Sequence, residues 1–274
     1  MALVGIIGAG IGGIATAVQL ARYGIESVIF ERDRIGGLIR NAYSVENTMF
    51  FPDGIKGEKV VEILEEYVRK YDLKILYEEV RAVKKAGGLF EVETAGGVHR
   101  FKYLVVATGT RPRRLPFDGI TYHVAEVPER HYGRVLIIGG GDVAFDYALT
   151  MSERSDEVII LMRSEPKALP YLQELVKKRS NIRTLMGQVR EIRPINGKQK
   201  LLARTSAGNF EVELVLGAIG RVPNIELVQG IEDDNLFLVG DVKNGIYRQT
   251  ALAIADGIKT AMVIWRRERY GDTE

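Results

Sequence analysis

Apolar residues near the start of the chain come as unbroken runs rather than alternating with polar ones. LVGIIGAGIGGIATAVQLARYGIESVIFERD reads as a buried strand, a glycine turn, a helix of small residues and a second apolar strand. The same order returns in mid-chain as RVLIIGGGDVAFDYALTMSERSDEVIILMRS. Two nucleotide-binding half-folds in one chain are the simplest account of this repeat.

The segments that follow each half-fold also resemble one another. Residues 58–71 carry apolar side chains at 60, 61, 63, 64, 67 and 68 with charges between, the pattern of a helix. Short alternating stretches at 80–84, 89–93 and 98–102, split by Gly87-Gly88 and Gly96-Gly97, predict a β-meander. YLVVATG is then a buried strand and RPRRLP a proline-bounded linker. In the second half a helix is expected at 169–179, a hairpin over 189–213 and a strand at 214–219. After IGRVPN come a strand, LFLVGD, and a closing helix at roughly 248–267. The pattern describes an insertion, in which residues 1–112 and 220–274 form one domain and 113–219 a second domain that interrupts it.

Composition removes several function classes. The 274 residues are 46% hydrophobic and 27% charged, with 38 Lys and Arg against 36 Asp and Glu, so no basic surplus points to nucleic acid or a membrane surface. The first twenty residues lack charge, but no basic segment precedes them and five glycines interrupt them. A buried strand entering a turn fits better than a signal peptide or a membrane span, and a soluble cytoplasmic protein is expected. With no cysteine there is no structural disulfide, zinc thiolate or thiol nucleophile. The three histidines, His99, His123 and His131, are scattered, so no metal site is expected.

The glycine loops carry the chemistry. Gly8, Gly10 and Gly13 form GxGxxG between a strand and a helix, where the turn, the backbone approach of a pyrophosphate and close helix–sheet packing each need a small residue. The free N–H groups and partial positive charge of the helix start favour phosphate. Glu31, 21 residues beyond Gly10, stands where a carboxylate meets ribose hydroxyls, which favours FAD or NAD over NADP. Gly139, Gly141 and Ala144, with Asp142 among them, repeat the motif. The equivalent count from Gly141 reaches Met162 and then Arg163, a cation suited to a 2′-phosphate, with Lys167 as a second positive charge. This leans toward NADPH. Alternatively Arg163 only ends a strand in solvent, and Glu165 weakens the positive field. The fold class is therefore α/β, with two Rossmann-like dinucleotide-binding domains, the first suited to FAD or NAD and the inserted one leaning toward NADPH, each with a small β-meander.

GAGIGG, FER, GG at 36–37, VEN at 45–47, VVATG at 105–109, GGGDVA at 139–144, IGRVPN at 219–224, VGDV at 239–242 and RQTALAIADG at 248–257 follow one another along the chain. In that order they resemble the low-molecular-weight thioredoxin reductases, within the pyridine nucleotide-disulfide oxidoreductase superfamily, almost from end to end. The resemblance implies an FAD domain with an inserted NAD(P)H domain. It also implies that Glu31 binds the adenosine ribose and that Gly36, Gly37 and Asn47 line the flavin. It implies that the chain passes close to the cofactor at Thr108 and Gly109, that Asp241 binds the ribitol, and that Arg248, Gln249 and Thr250 edge the isoalloxazine. A homodimer is also implied. The start of the closing helix would aim backbone donors at the side of the ring where negative charge develops on reduction.

The departure from that family is large. Its Cys-x-x-Cys falls, in this chain, on His123 and Glu126 in TYHVAEV, and Val127 stands where the family has an acid. The NADP signature is reduced to Arg163. Without a thiolate the protein itself cannot exchange disulfides. The expected function is an FAD-dependent NAD(P)H oxidoreductase that passes electrons to an external acceptor such as a quinone, free flavin, ferredoxin, oxygen or a foreign disulfide. The alternative is a flavin-binding sensor, scaffold or partner subunit without catalysis. A narrower enzyme reading is a ferredoxin–NADP reductase, against which stands the chain end soon after the last helix. His123 and Glu126 are candidate catalytic residues, as a proton donor to the acceptor or as walls of its pocket. Otherwise they are polar residues of a loop released from its former role.

Overall fold

The computed structural model describes residues 2–195 and 200–271. Its described α-helices are α1 (Ile11–Arg22), α2 (Gly57–Lys70), α3 (Asp142–Ser152), α4 (Pro170–Lys177) and α5 (Thr250–Tyr270). The chain forms two compact units. The first holds the residues up to Arg40, Val45–Arg111 and those from Pro223 onward; the second holds Asn41–Ser44 and Pro112–Val222.

In the first unit a five-stranded parallel sheet runs in the order Leu236–Leu238, Tyr103–Val106, Val4–Ile7, Ser27–Phe30, Lys74–Leu76. The strand order reverses beside Val4–Ile7, so the carboxyl end of that strand opens on the crevice where α/β sheets bind ligands. Both faces are covered, which is why the strands read as continuous apolar runs. On one face Ile6, Tyr103 and Val105 pack with Ile14, Ala17 and Leu20 of α1 and Ala261 and Ile264 of α5. On the other, Phe30, Leu104 and Val106 meet Phe90, Val92 and Phe101 of an antiparallel meander, Ala82–Ala86, Leu89–Thr94 and Gly97–Phe101. Trp265 of α5 stacks on Tyr23 at 4.8 Å between ring centroids, a packing role.

The second unit repeats this plan. Its parallel sheet runs Ile182–Met186, Ser155–Met162, Tyr132–Ile138, Leu214–Gly217, Ile120–Thr121. Ala144, Phe145, Ala148 and Leu149 of α3 lie buried against Val135, Ile137, Val158 and Ile160. The stretch expected as a hairpin is a three-stranded meander, Val189–Ile195, Lys200–Thr205 and Gly208–Val212. Its second turn is closed by Thr205, whose hydroxyl accepts from Ala207 N–H at 3.0 Å and donates to Gly208 O at 2.7 Å. Thr94 closes the corresponding turn of the first meander by accepting from Gly96 N–H at 3.1 Å. Part of the proline-bounded linker is a strand, Thr110–Pro112.

Candidate dinucleotide sites

Gly8, the first residue after Val4–Ile7, donates to Phe30 O at 2.8 Å and turns the chain into α1. A Cβ on Gly13 would collide with Gly8 O, so the helix approaches the turn only because that position has no side chain. A Cβ on Gly10 would meet nothing within 4 Å. Gly10 also forms a β-bridge with Gly36, whose N–H donates to Ala9 O at 2.9 Å. A Cβ on Gly37 would lie 3.6 Å from the Gly10 Cα. Gly8, Gly10, Gly13, Gly36 and Gly37 thus make one cradle without side chains at the start of α1. That helix has neither a side-chain cap nor an acid in its first turn, which leaves its N–H groups for an anion.

Glu31 is fixed at the rim of this cradle. Its Oε2 accepts from Ala9 N–H at 2.8 Å and its Oε1 from Asp33 N–H at 3.0 Å. Each oxygen keeps a lone pair, so the carboxylate can still accept from ribose hydroxyls. The cradle and carboxylate fit a dinucleotide. Arg40 lies on the 3₁₀ turn that follows Gly36. Its guanidinium donates to Ile35 O, and burial, with Arg34 nearby, lowers its pKa below the ordinary value.

The remaining candidates of this unit fall into connected groups. Thr108 donates to Asn224 O at 2.6 Å, and Asn224 N–H returns to Gly109 O at 3.0 Å, which ties VVATG to IGRVPN. Asn47 Nδ2 donates to Gln249 Oε1 at 2.6 Å. Gln249 is the N-cap of α5, between Arg248 and Thr250, and α5 begins with no side-chain cap and no acid in its first turn. Asp241 lies on the 3₁₀ turn Gly240–Val242, directly after Val239. A Cβ on Gly12 would stand 2.8 Å from Val239 Cγ1, which places this turn beside the start of α1.

In the second unit a Cβ on Gly139 would collide with Ala218 O, at a φ of +150°. A Cβ on Gly141 would meet nothing within 4 Å, and Ala144 is fully buried. The loop after Met162 folds over this turn. Gly140 O accepts from Lys167 N–H at 2.7 Å and Ala168 N–H at 3.1 Å, while Asp142 Oδ1 accepts from Leu169 N–H at 2.8 Å. Asp142 therefore holds the loop that carries Arg163 and Lys167, both exposed. Arg163 has no ion pair among the described residues.

His123 and Glu126 do not lie in a free loop. His123 is the N-cap and Glu126 the last residue of the 3₁₀ turn Val124–Glu126, in which Glu126 N–H donates to His123 O at 3.1 Å. Val124 and Val127 anchor the turn in the core, Tyr147 donates to Tyr122 O at 3.0 Å, and Asn41 Oδ1 accepts from Ala125 N–H at 3.1 Å. His123 is half-buried and Glu126 exposed. One turn into α3, Asp146 accepts from Tyr43 N–H at 3.2 and 3.0 Å. Burial pushes the Asp146 carboxyl up to about 7, against the pull of that hydrogen bond. His99 packs edge-to-face on Phe30 at 5.1 Å, and His131 meets Asp156 at 2.7 Å on the surface. Among the described residues no cluster could hold a metal, and no helix is long and apolar enough to cross a membrane.

Known proteins are similar to this chain in sequence and fold. A thioredoxin reductase of Borreliella burgdorferi is 26% identical over 92% of this chain and 87% of its own length. A 34.2 kDa protein in the rubredoxin operon of Clostridium pasteurianum is 26% identical over 94% of each chain. Among solved structures, T. acidophilum thioredoxin reductase superposes with a TM-score of 0.86 at 28% identity, over 97% of this chain and 98% of the other. The family model for pyridine nucleotide-disulphide oxidoreductases matches residues 3–257. Two Rossmann-like units on a thioredoxin reductase-like plan, without the cysteines of that plan, place this chain in the pyridine nucleotide-disulphide oxidoreductase family.

Proposed function

We propose that the protein is an FAD-dependent NAD(P)H oxidoreductase whose electrons leave to an acceptor other than a disulfide of its own. The observation that carries this reading is the cradle of Gly8, Gly10, Gly13, Gly36 and Gly37 with Glu31 held at its rim by Ala9 and Asp33. Bound flavin would supply the redox chemistry, taking a hydride from a reduced nicotinamide at N5. The chain's own residues bind and orient. The start of α1 would meet the pyrophosphate and Glu31 the adenosine ribose; Gly36, Gly37 and Asn47 would line the flavin, the chain would pass close to it at Thr108 and Gly109, Asp241 would bind the ribitol, and Arg248, Gln249 and Thr250 would edge the ring. The open N-terminus of α5 favours negative charge near the ring. In the second unit Gly139, Gly141 and Ala144 would accept the nicotinamide dinucleotide, with Asp142 holding the loop that presents Arg163 and Lys167. His123 or Glu126 would act on the acceptor. Cytoplasmic residence and a homodimer belong to the proposal on the thioredoxin reductase likeness.

The test is the visible spectrum of the purified protein, followed by anaerobic titration with NADPH and NADH. A flavin spectrum that bleaches with either nucleotide is the expected result. A flavin that stays oxidised with both would leave the second reading, a flavin-binding partner subunit or sensor, which the loss of every cysteine favours. Absence of any flavin, with none taken up on reconstitution, overturns both.

A further inference from the structure

We propose that Asp256 of α5 is a positioning residue that fixes the turn Gly240–Val242, and so Asp241, against the ribityl chain of a bound flavin nucleotide. The inference rests on the reading of the first unit as the flavin site. Three donors converge on this one carboxylate: Gly240 N–H at 3.1 Å, Asn244 Nδ2 at 2.7 Å and Lys243 Nζ at 3.0 Å.

The first N–H of the turn and the two residues that follow it are thereby tied to a single point on the helix. The turn's own bonds, Lys243 N–H and Asn244 N–H to Gly240 O at 2.9 and 3.1 Å, close it on itself but do not attach it to the rest of the unit. Val239 N–H on Val106 O at 3.0 Å and the buried Val242 anchor the two ends of the turn, Ala253 packs on it, its Cβ 3.2 Å from a Cβ on Gly240, and Asp256 takes the turn's first N–H together with the two side chains that follow it. The next residue after Asp256, Gly257, seats α5 directly on α1, because a Cβ there would stand 2.6 Å from Gly12 O. The carboxylate is thus referenced to the helix that begins the cradle. Burial pushes its pKa up, but the three donors win and hold it below the ordinary carboxylate range. An amide at this position has one acceptor oxygen and turns an NH₂ group toward a donor, so it keeps the shape and loses the clamp.

The experiment uses flavin-free full-length protein reconstituted with FAD. The dissociation constant is read from quenching of flavin fluorescence, and the thermal midpoint of the flavin-free protein is read beside it. Asp256→Asn is expected to weaken FAD by about tenfold, the scale of a hydrogen bond to a charged group. Asp256→Glu should recover part of that loss. In an Asp241→Ala background, Asp256→Asn should no longer change FAD affinity, because the residue it positions is gone. If Asp256→Asn does not fold, Asn244→Ala removes one donor from the clamp, leaves the helix intact and is expected to weaken FAD by a few-fold. Unchanged FAD affinity in the variant that folds, or an equal loss with and without Asp241, overturns the proposal. Wild-type protein that takes up no FAD overturns the flavin reading itself, and this inference with it.

Discussion

Gly10 and Gly36 face each other across a β-bridge at the carboxyl end of the first parallel sheet. Neither side of that approach carries a side chain, and the start of α1 opens onto it. Two glycines of this loop differ in what a substitution would do. At Gly10 a Cβ meets nothing within 4 Å, whereas at Gly13 it collides with Gly8 O.

Gly10→Val is therefore expected to fold with a flavin-free thermal midpoint close to that of the parent protein, yet to lose FAD binding. Gly13→Ala should destabilise the unit by about 1–3 kcal/mol, the range for overpacking a tight contact. Urea unfolding of the flavin-free proteins and FAD titration separate the two effects. A Gly10→Val protein that binds FAD normally would remove the cradle from the site.

Glu31 supplies a second, independent test. Its carboxylate accepts from two backbone donors, and substitution by Gln replaces one acceptor oxygen with a donor. Glu31→Gln should weaken FAD by roughly 1.5–3 kcal/mol, the size of hydrogen bonds to a charged group. The comparison with FMN is the decisive control, since FMN lacks the adenosine ribose. Its affinity should not move.

On the proposed reading of the second unit, its nucleotide preference would turn on Arg163, exposed and without an ion pair among the described residues. Arg163→Glu should raise KM for NADPH by about tenfold or more while leaving KM for NADH nearly unchanged, because only NADPH carries the 2′-phosphate. Equal KM changes for both nucleotides would mean that Arg163 merely shapes the loop.

Much of this architecture was legible from apolar runs and glycine turns, because each half-fold repeats a strand, a turn and a helix whose pattern is local. The short strands Lys74–Leu76, Ile182–Met186 and Ile120–Thr121 were not legible. They lie at sheet edges, are partly exposed, and gain their hydrogen bonds only from neighbours distant in the chain. The third strand within 189–213 was hidden for a similar reason, since its turn depends on the Thr205 hydroxyl rather than on a glycine pair. At the sites, the spacing of Gly8, Gly10, Gly13 and Glu31 carries their chemistry in the open. Asp142 and Asp256 gain meaning only from the donors folded against them, Leu169 in one case and the Gly240–Asn244 stretch in the other.

The turn that bears His123 and Glu126 is held by Val124 and Val127 in the core and by Ala125 N–H on Asn41. Substituting the exposed Glu126 should leave the fold unchanged, within about 0.5 kcal/mol, whereas the thermal midpoint of the half-buried His123 variant is read beside its activity. If one of them serves the acceptor, His123→Ala or Glu126→Ala should slow acceptor turnover by about tenfold to a hundredfold while leaving the anaerobic reduction of the flavin by nicotinamide untouched. Unchanged turnover in both variants removes them from the catalytic set.

Asp146 should make stability depend on pH in an unusual direction. Its carboxyl is pushed up to about 7 by burial, from an ordinary value of 3.8. Well below that ordinary value the folded and unfolded chains both carry the proton. Between 3.8 and about 7 the unfolded chain releases it while the folded one retains it, so this group's contribution falls as pH rises and is fully lost above about 7. Asp146→Asn removes the titration yet keeps a side-chain oxygen for Tyr43 N–H. The variant is expected to gain on the parent by up to a few kcal/mol on going from about pH 5 to about pH 8 in urea unfolding. Parallel stability profiles for the two proteins would show that the carboxylate is solvated well enough to ionise at its ordinary pKa.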